Sequence, residues 1–175
     1  MEAGMLYRRI EPSRVGSNIC KRNVAGSEVR YFGYKWMRWP VHYADPHTMI
    51  SVGRDLDGAN LVVGRAMHQG DMLPAKVKPE HGVAYVSHGG SEYTKHNFEI
   101  LMPAHFNWIH SSHGHIPDHA VEAGRTSNGE VLFVGRAYHN GVPCVGKVHR
   151  SHGCLYIPYD GREISKRDYE VLVQA

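Results

Sequence analysis

Three charged residues in the first half of the sequence could together hold a polar ligand. Asp55 lies at a predicted hairpin, Lys76 lies in the segment LPAKV, and Asp71 lies between them. A carboxylate accepts hydrogen bonds and an ammonium group donates them, so the two together match the vicinal hydroxyls of a sugar. The alternative interpretation of the same residues is a surface salt bridge.

Other candidate chemistry has less support in the sequence. Four histidines fall within ten residues: His110, His113, His115 and His119. Glycine and proline between them indicate a loop, and no acidic or cysteine residue lies at a spacing usual for a metal ligand. The segment DLDG at residues 55–58 resembles the start of a calcium loop but lacks the later carboxylates. We find no nucleophile elbow and no phosphate-binding glycine loop, and therefore expect no catalytic residue, cofactor or metal.

The elements that must position the charged residues belong to an internal repeat. Residues 63–70 read VGRAMHQG and residues 134–141 read VGRAYHNG. At an offset of 71, residues 61–101 match residues 132–172 at 17 of 41 positions, where chance gives roughly two or three. We predict a basic extension at 1–38, a first repeat at 39–103 and a second at 104–175, the repeats forming one compact domain. This division aligns Trp39 with Trp108, with two extra residues in the second copy.

Apolar alternation within each repeat predicts strands rather than helices. The predicted strands are LVVGRA, VAYVS and NFEILM in the first copy and VLFVGRA, CLYIP and DYEVLVQ in the second. Asp57-Gly58 and the matching Asn128-Gly129 predict two-residue type I′ turns. We expect an all-β fold, in which two tandem repeats of short antiparallel strands are related by a pseudo-twofold axis.

Two further features of the pattern predict packing. The aromatic stretch YFGYKWMRW at residues 31–39 predicts an additional strand of the folded body, which could also pair across a dimer interface. The glycine of each VGRA segment is expected to allow close backbone approach, and the arginine to anchor its repeat through a buried or stacked guanidinium.

Charge and cysteine content bear on the compartment and partners. Residues 1–39 carry eight Lys or Arg against three Glu, which leaves the rest of the chain at −2 out of a total of +3. A basic leader favours anionic lipid or nucleic acid, but the slightly acidic repeats disfavour nucleic acid.

The first residues lack the apolar segment of a signal peptide, which predicts a cytoplasmic protein. Three cysteines without metal spacing predict free thiols: Cys20, Cys144 and Cys154.

The order of these motifs resembles the DM-nine repeat family of invertebrate proteins. The residues that carry the resemblance are VGRA-x-H-x-G, Lys-Val, His-Gly-x-x-Tyr, Gly-x-Glu and Tyr or Phe-Glu-x-Leu, each occurring twice between about residues 39 and 174. The resemblance implies homodimers and, in lectin members, mannose recognition in innate immunity. It also implies that some relatives are associated with intracellular vesicles.

The resemblance also implies the position of a sugar site. The Asp and Lys that hold the sugar in lectin members fall on Asp55 and Lys76, with Asp71 near the position of a further acidic residue. The second copy keeps Lys147 but has Thr126 where Asp55 aligns, so the second site is expected to be the weaker one.

The sequence thus favours a non-enzymatic, mannose-type carbohydrate-binding protein of the pattern-recognition type. The alternative is a vesicle-associated adaptor whose basic leader contacts anionic lipid while the repeats bind protein. Binding to anionic liposomes with and without residues 1–35 discriminates between the two.

Overall fold

The computed structural model describes residues 33–40 and 49–175. The predictions for most of the basic extension and for Cys20 fall on residues 1–32 and so lie outside the described residues.

The described residues form one antiparallel sheet that curls on itself. Its strand order is β1-β7-β3-β4-β5-β6-β13-β12-β11-β10-β14-β8, with β2 beside β3 and β9 beside β10. The strands are β1 Trp36–Arg38, β2 Ser51–Arg54, β3 Asn60–His68, β4 Asp71–Lys78, β5 Val83–His88, β6 Ser91–Lys95, β7 Glu99–Leu101, β8 Phe106–Ser112, β9 Glu122–Arg125, β10 Val131–His139, β11 Val142–His149, β12 Cys154–Tyr159, β13 Arg162–Lys166 and β14 Asp168–Gln174. Two short 3₁₀ helices, Pro79–His81 and Arg150–His152, precede β5 and β12. The predicted all-β class is confirmed, and no helix in the described part of the chain is long and apolar enough to cross a membrane.

Strand pairing repeats with the offset seen in the sequence. Val63 pairs with Lys76 as Val134 pairs with Lys147, although the two pairs lie 71 residues apart. The predicted strand at the aromatic stretch is also present, because β1 pairs with β7 at the end of the sheet path. Equal registers in the two copies support the predicted pseudo-twofold axis, which itself stays a prediction.

The hairpin turns differ in type from the prediction. At Asp57-Gly58 only the glycine has a positive φ, of 83°, and Gly58 N–H donates to Asp55 O at 2.9 Å. This is a three-residue loop closed by a left-handed glycine, because a type I′ turn needs positive φ at both central residues. Type I′ turns lie instead inside the repeated octapeptide, where Gln69 and Gly70 have φ of 47° and 86°.

The glycine and arginine of each VGRA segment have the predicted roles. A Cβ on Gly64 would overlap the Val77 side chain and the Glu99 carbonyl oxygen, so the neighbouring strands pack directly on its backbone. The guanidinium of Arg65 pairs with the Glu99 carboxylate and lies 4.7 Å from the centre of the Trp36 ring. Cation–π stacking of this kind is worth about 0.5–2 kcal/mol, more where the cation is desolvated.

The second repeat corrects the alignment of the tryptophans. Arg136 lies 4.3 Å from the centre of the Trp108 ring, and Trp108 pairs with Leu172 as Trp36 pairs with Leu101. Trp36 is therefore the counterpart of Trp108, and the alignment of Trp39 with Trp108 was wrong. Trp39 instead stacks on Phe98, with 5.9 Å between the ring centres.

The two repeats exchange core residues. Leu61 packs into a cluster formed mostly by the second repeat, while Leu132 packs into a cluster whose other members belong to the first. Both side chains are fully buried, and burying a leucine stabilises the fold by about 1.5–3 kcal/mol. Neither repeat therefore completes its core without the other. Cys144 and Cys154 lie in this interior as free thiols, as predicted.

Candidate functional site

Two buried lysines connect the repeats. Lys76 on β4 donates from Nζ to the carbonyl oxygen of Pro158 at 2.9 Å, and Lys147 on β11 donates to that of Ser87 at 2.8 Å. Because Pro158 is the residue 71 positions after Ser87, each lysine reaches the same position in the other repeat. Both side chains are more than nine-tenths buried, so each ammonium needs these partners.

Each lysine has a glutamate and a tyrosine ring beside it. Lys147 Nζ lies 3.0 Å from Glu163 Oε2 and 5.4 Å from the centre of the Tyr156 ring. Lys76 Nζ lies 3.8 Å from Glu92 Oε2 and 5.5 Å from the Tyr85 ring. The same lysine, carboxylate and aromatic ring therefore recur once in each repeat.

The glutamates are oriented from the opposite repeat as well. Gly90 N–H donates to Glu163 Oε1, and Gly161 N–H donates to Glu92 Oε1, both at 3.2 Å. Contacts that are exchanged in this way are typical of a self-complementary, twofold interface.

Asp55 pairs with a lysine that the sequence interpretation did not select. Its Oδ2 lies 2.5 Å from Lys78 Nζ, and Lys78 Nζ also contacts Asp57 Oδ2 at 2.9 Å. Burial alone would raise the pKa of Asp55, but hydrogen bonds from Lys78 and from the Leu56 amide outweigh it, so the pKa is lowered. The charge of Lys76 also lowers the pKa of Asp55. We call Asp55, Lys76 and Lys78 the Lys76 cluster, in which Lys78 is the direct partner of the Asp55 carboxylate.

Asp71 and Lys147 lie together in a cavity between the repeats, which we call the Lys147 pocket. The cavity has a volume of about 240 Å³. Side chains of both repeats line it: Asp71 and His88 from the first, and Thr126, Leu132, Lys147, His149, His152, Tyr156 and Glu163 from the second. Asp71 accepts a hydrogen bond from Ser127 N–H at 2.7 Å and lies 3.5 Å from His88 Nε2.

Stacked imidazoles form one wall of the Lys147 pocket. The rings of His149 and His152 lie 3.7 Å apart and nearly parallel, and His149 Nδ1 faces Glu130 Oε1 at 3.2 Å. Burial, and then the neighbouring His152, lower the pKa of His149. Burial, together with Cys154, raises the pKa of Tyr156 to about 12, so its hydroxyl stays protonated and is a hydrogen-bonding group.

Sequence reasoning missed several of these residues. Glu92, Glu163 and the two tyrosines were visible in the repeat alignment, where they match between copies. Lys78 had no such signal, because its counterpart is His149. Within residues 33–40 and 49–175, no three His, Cys, Asp or Glu side chains converge in a way that could hold a metal ion.

The fold and this pair of related clusters define a two-repeat, all-β protein with polar sites at the junction of its repeats. Residues 55–166 match the DM9 repeat, and the chain belongs to the DM9 repeat family. The resemblance inferred from the motifs is therefore confirmed.

Curated relatives and a solved structure extend the comparison. Natterin-3 of Thalassophryne nattereri is 33% identical over 92 residues, which cover 50% of this chain and 23% of the relative. Natterin-4 of the same organism is 25% identical over 142 residues, covering 79% and 33%. The chain thus spans a third or less of these relatives. The crystal structure of the nematode sperm cell motility protein MFP2B is similar in fold, with a TM-score of 0.58, 14% identity and coverage of 89% of this chain and 51% of that one.

Proposed function

We propose that the protein is a non-enzymatic carbohydrate-binding protein of the pattern-recognition type, with mannose as the favoured sugar and a role in innate immunity. One observation carries the proposal: a buried lysine beside a glutamate and a tyrosine ring recurs in each repeat at their junction, where a cavity of about 240 Å³ borders the second of these lysines. This size suits a single sugar ring, since it lies below the range of drug-sized sites.

The chemistry of the cluster suits a polyol. Each lysine has three N–H donors, of which one is engaged by a backbone carbonyl and another faces a glutamate, so a donor remains beside carboxylate oxygens that accept hydrogen bonds, and adjacent hydroxyls find both functions in one cluster. The tyrosine supplies an apolar face beside them. The chain belongs to the DM9 repeat family, and the resemblance to its lectin members, which implies that an Asp and a Lys hold mannose, supports mannose as the sugar.

Affinity for a single sugar is expected to be low. Each hydrogen bond to a hydrated hydroxyl nets about 0.5–1.5 kcal/mol, and a millimolar dissociation constant corresponds to only about 4 kcal/mol. Binding to a multivalent glycan gains from two sites per chain and from a homodimer that presents four. The proposal therefore includes mannose-containing glycans and a second copy of the chain as partners.

The test is an NMR titration of the ¹⁵N-labelled full chain with methyl α-mannoside, using galactose and glycerol as control ligands. We expect saturable shifts of amides around the Lys76 cluster and the Lys147 pocket with mannoside, and smaller shifts with the controls. A spectrum unchanged at tens of millimolar mannoside contradicts the proposal. A glycan array on the same preparation then ranks the linkages.

We propose a cytoplasmic location, with vesicle association through the basic extension. Comparing the binding of the full chain and of a chain lacking residues 1–35 to anionic liposomes tests the lipid contact. Equal binding by the two proteins contradicts it.

A further inference from the structure

The two lysine clusters differ in the sequence position that supplies their aspartate. Asp55 in the first repeat corresponds to Thr126 in the second, so the second repeat lacks the carboxylate at this position. Asp71 in turn corresponds to Val142, so the first cluster lacks a carboxylate there. Each cluster therefore has one of the two acids, and the acid comes from a different position in each.

A backbone amide shows that the two carboxylates occupy corresponding places. Leu56 N–H donates to Asp55 Oδ1 at 2.7 Å, and Ser127 N–H donates to Asp71 Oδ1 at 2.7 Å. Leu56 and Ser127 are 71 residues apart and lie at the same position of the matching turns. The same amide thus binds a carboxylate in both repeats, although in the second repeat the carboxylate crosses over from the first.

The two carboxylates differ in what engages their second oxygen. Asp55 Oδ2 is held at 2.5 Å by Lys78 Nζ, whereas Asp71 Oδ2 faces His88 Nε2 at 3.5 Å. The counterpart of Lys78 is His149, which faces Glu130 at 3.2 Å. Asp71 therefore lines the cavity and, unlike Asp55, has no lysine from the described part of the chain bound closely to its carboxylate.

We propose that the Lys147 pocket is a second complete sugar site, in which Asp71 of the first repeat is the carboxylate that accepts the sugar hydroxyls. The inference rests on the proposed carbohydrate binding and specifies its residues. It replaces the expectation of a weak second site, because the acid absent at Thr126 is supplied across the repeat junction. A chain cut between the repeats would lack this site.

Two matched amides allow each site to be followed separately. The ¹⁵N-labelled full chain is titrated with methyl α-mannoside, and the shifts of the Leu56 and Ser127 amides are fitted independently. Asp71→Asn keeps an oxygen for Ser127 N–H but loses the charge and acceptor capacity of the carboxylate. We expect it to weaken the titration seen at Ser127 by about tenfold or more and to leave Leu56 unchanged. Asp55→Asn is the matched control and should act on Leu56.

A rescue experiment distinguishes sugar binding by Asp71 from a purely structural role of this residue. Asp71→Val introduces the residue of the corresponding position, Val142, and Thr126→Asp added to it copies Asp55. We expect Asp71→Val to abolish the titration at Ser127 and the double variant to restore it. Thermal melting of each variant verifies that the chain is folded.

The outcomes separate this inference from the proposed function. If Leu56 titrates in the wild type but Ser127 does not, or if Ser127 titrates equally in wild type and Asp71→Asn, the inference is overturned and the proposed function stands. A double variant that binds no better than Asp71→Val also overturns the inference. If neither amide titrates in the wild type, the proposed function fails and the inference fails with it.

Discussion

The ion pair at the repeat junction allows a quantitative prediction for Lys147→Met. The Lys147 and Glu163 side chains are only 8% and 10% exposed, and Nζ also donates to Ser87 O at 2.8 Å. Methionine keeps the length of the side chain but removes the ammonium, which leaves Glu163 as a buried charge without its cation and Ser87 O without its donor. Losing one partner of a buried pair costs about 3–5 kcal/mol. For a chain of this size, that lowers Tm by about 6–20 °C.

The assay is thermal and urea unfolding at pH 7, with a double-mutant cycle. Glu163→Gln removes the unpaired charge and keeps an oxygen for Gly90 N–H, so we expect Lys147→Met/Glu163→Gln to be more stable than Lys147→Met. The matched control is Lys76→Met, for which we expect a smaller loss because the nearest glutamate oxygen is 3.8 Å away. A loss below about 1 kcal/mol for Lys147→Met, or a double variant no more stable than the single one, would refute the reasoning.

Three other predictions follow from the packing and the titrating groups. Gly64→Ala should lower the free energy of unfolding by about 1–3 kcal/mol, because the new methyl group overlaps a valine side chain and a backbone carbonyl; urea unfolding should show no such loss for Gly33→Ala, where space is open. The pKa of His149 is lowered by burial and by the imidazole stacked on it, so its contribution to stability is complete above its ordinary pKa of about 6.5 and is lost as pH falls through the lowered value. Thermal melts should therefore decline below about pH 6.5 less steeply in His149→Gln than in the wild type; equal slopes contradict this. Cys144 and Cys154 should react with iodoacetamide slowly in the native protein and quickly in urea, since both are buried and burial raises the pKa of the Cys144 thiol; rapid labelling of the native protein would speak against the fold.

Local patterns made the all-β class and the strands predictable. The strand period of two residues is visible in segments such as VAYVS, and β5 and β12 lie where that alternation placed them. The glycine and arginine of the octapeptide were interpretable because their requirements are local: the absence of a Cβ, and a planar cation that needs a carboxylate or a ring.

The type of the hairpin turns and the tryptophan that corresponds to Trp108 could not be predicted from the sequence. The pair Asp57-Gly58 is compatible with more than one turn, and the φ of Asp57 decides between them. Trp36 and Trp39 are both close enough in sequence to serve as the counterpart of Trp108, and only the pairing of Trp36 with Leu101 selects one.

The sequence by itself determined that the chain repeats, that each copy is a set of antiparallel strands, and that each copy carries a lysine with a matching glutamate and tyrosine. Only the tertiary structure decided which carboxylate accompanies which lysine. Asp71 and Lys76 are five residues apart on β4, and an odd spacing along a strand places them on opposite faces and about 16 Å apart. Asp71 instead lines the same cavity as Lys147. The repeats exchange contacts across their junction, and contacts between residues so distant in sequence depend on how the two repeats pack.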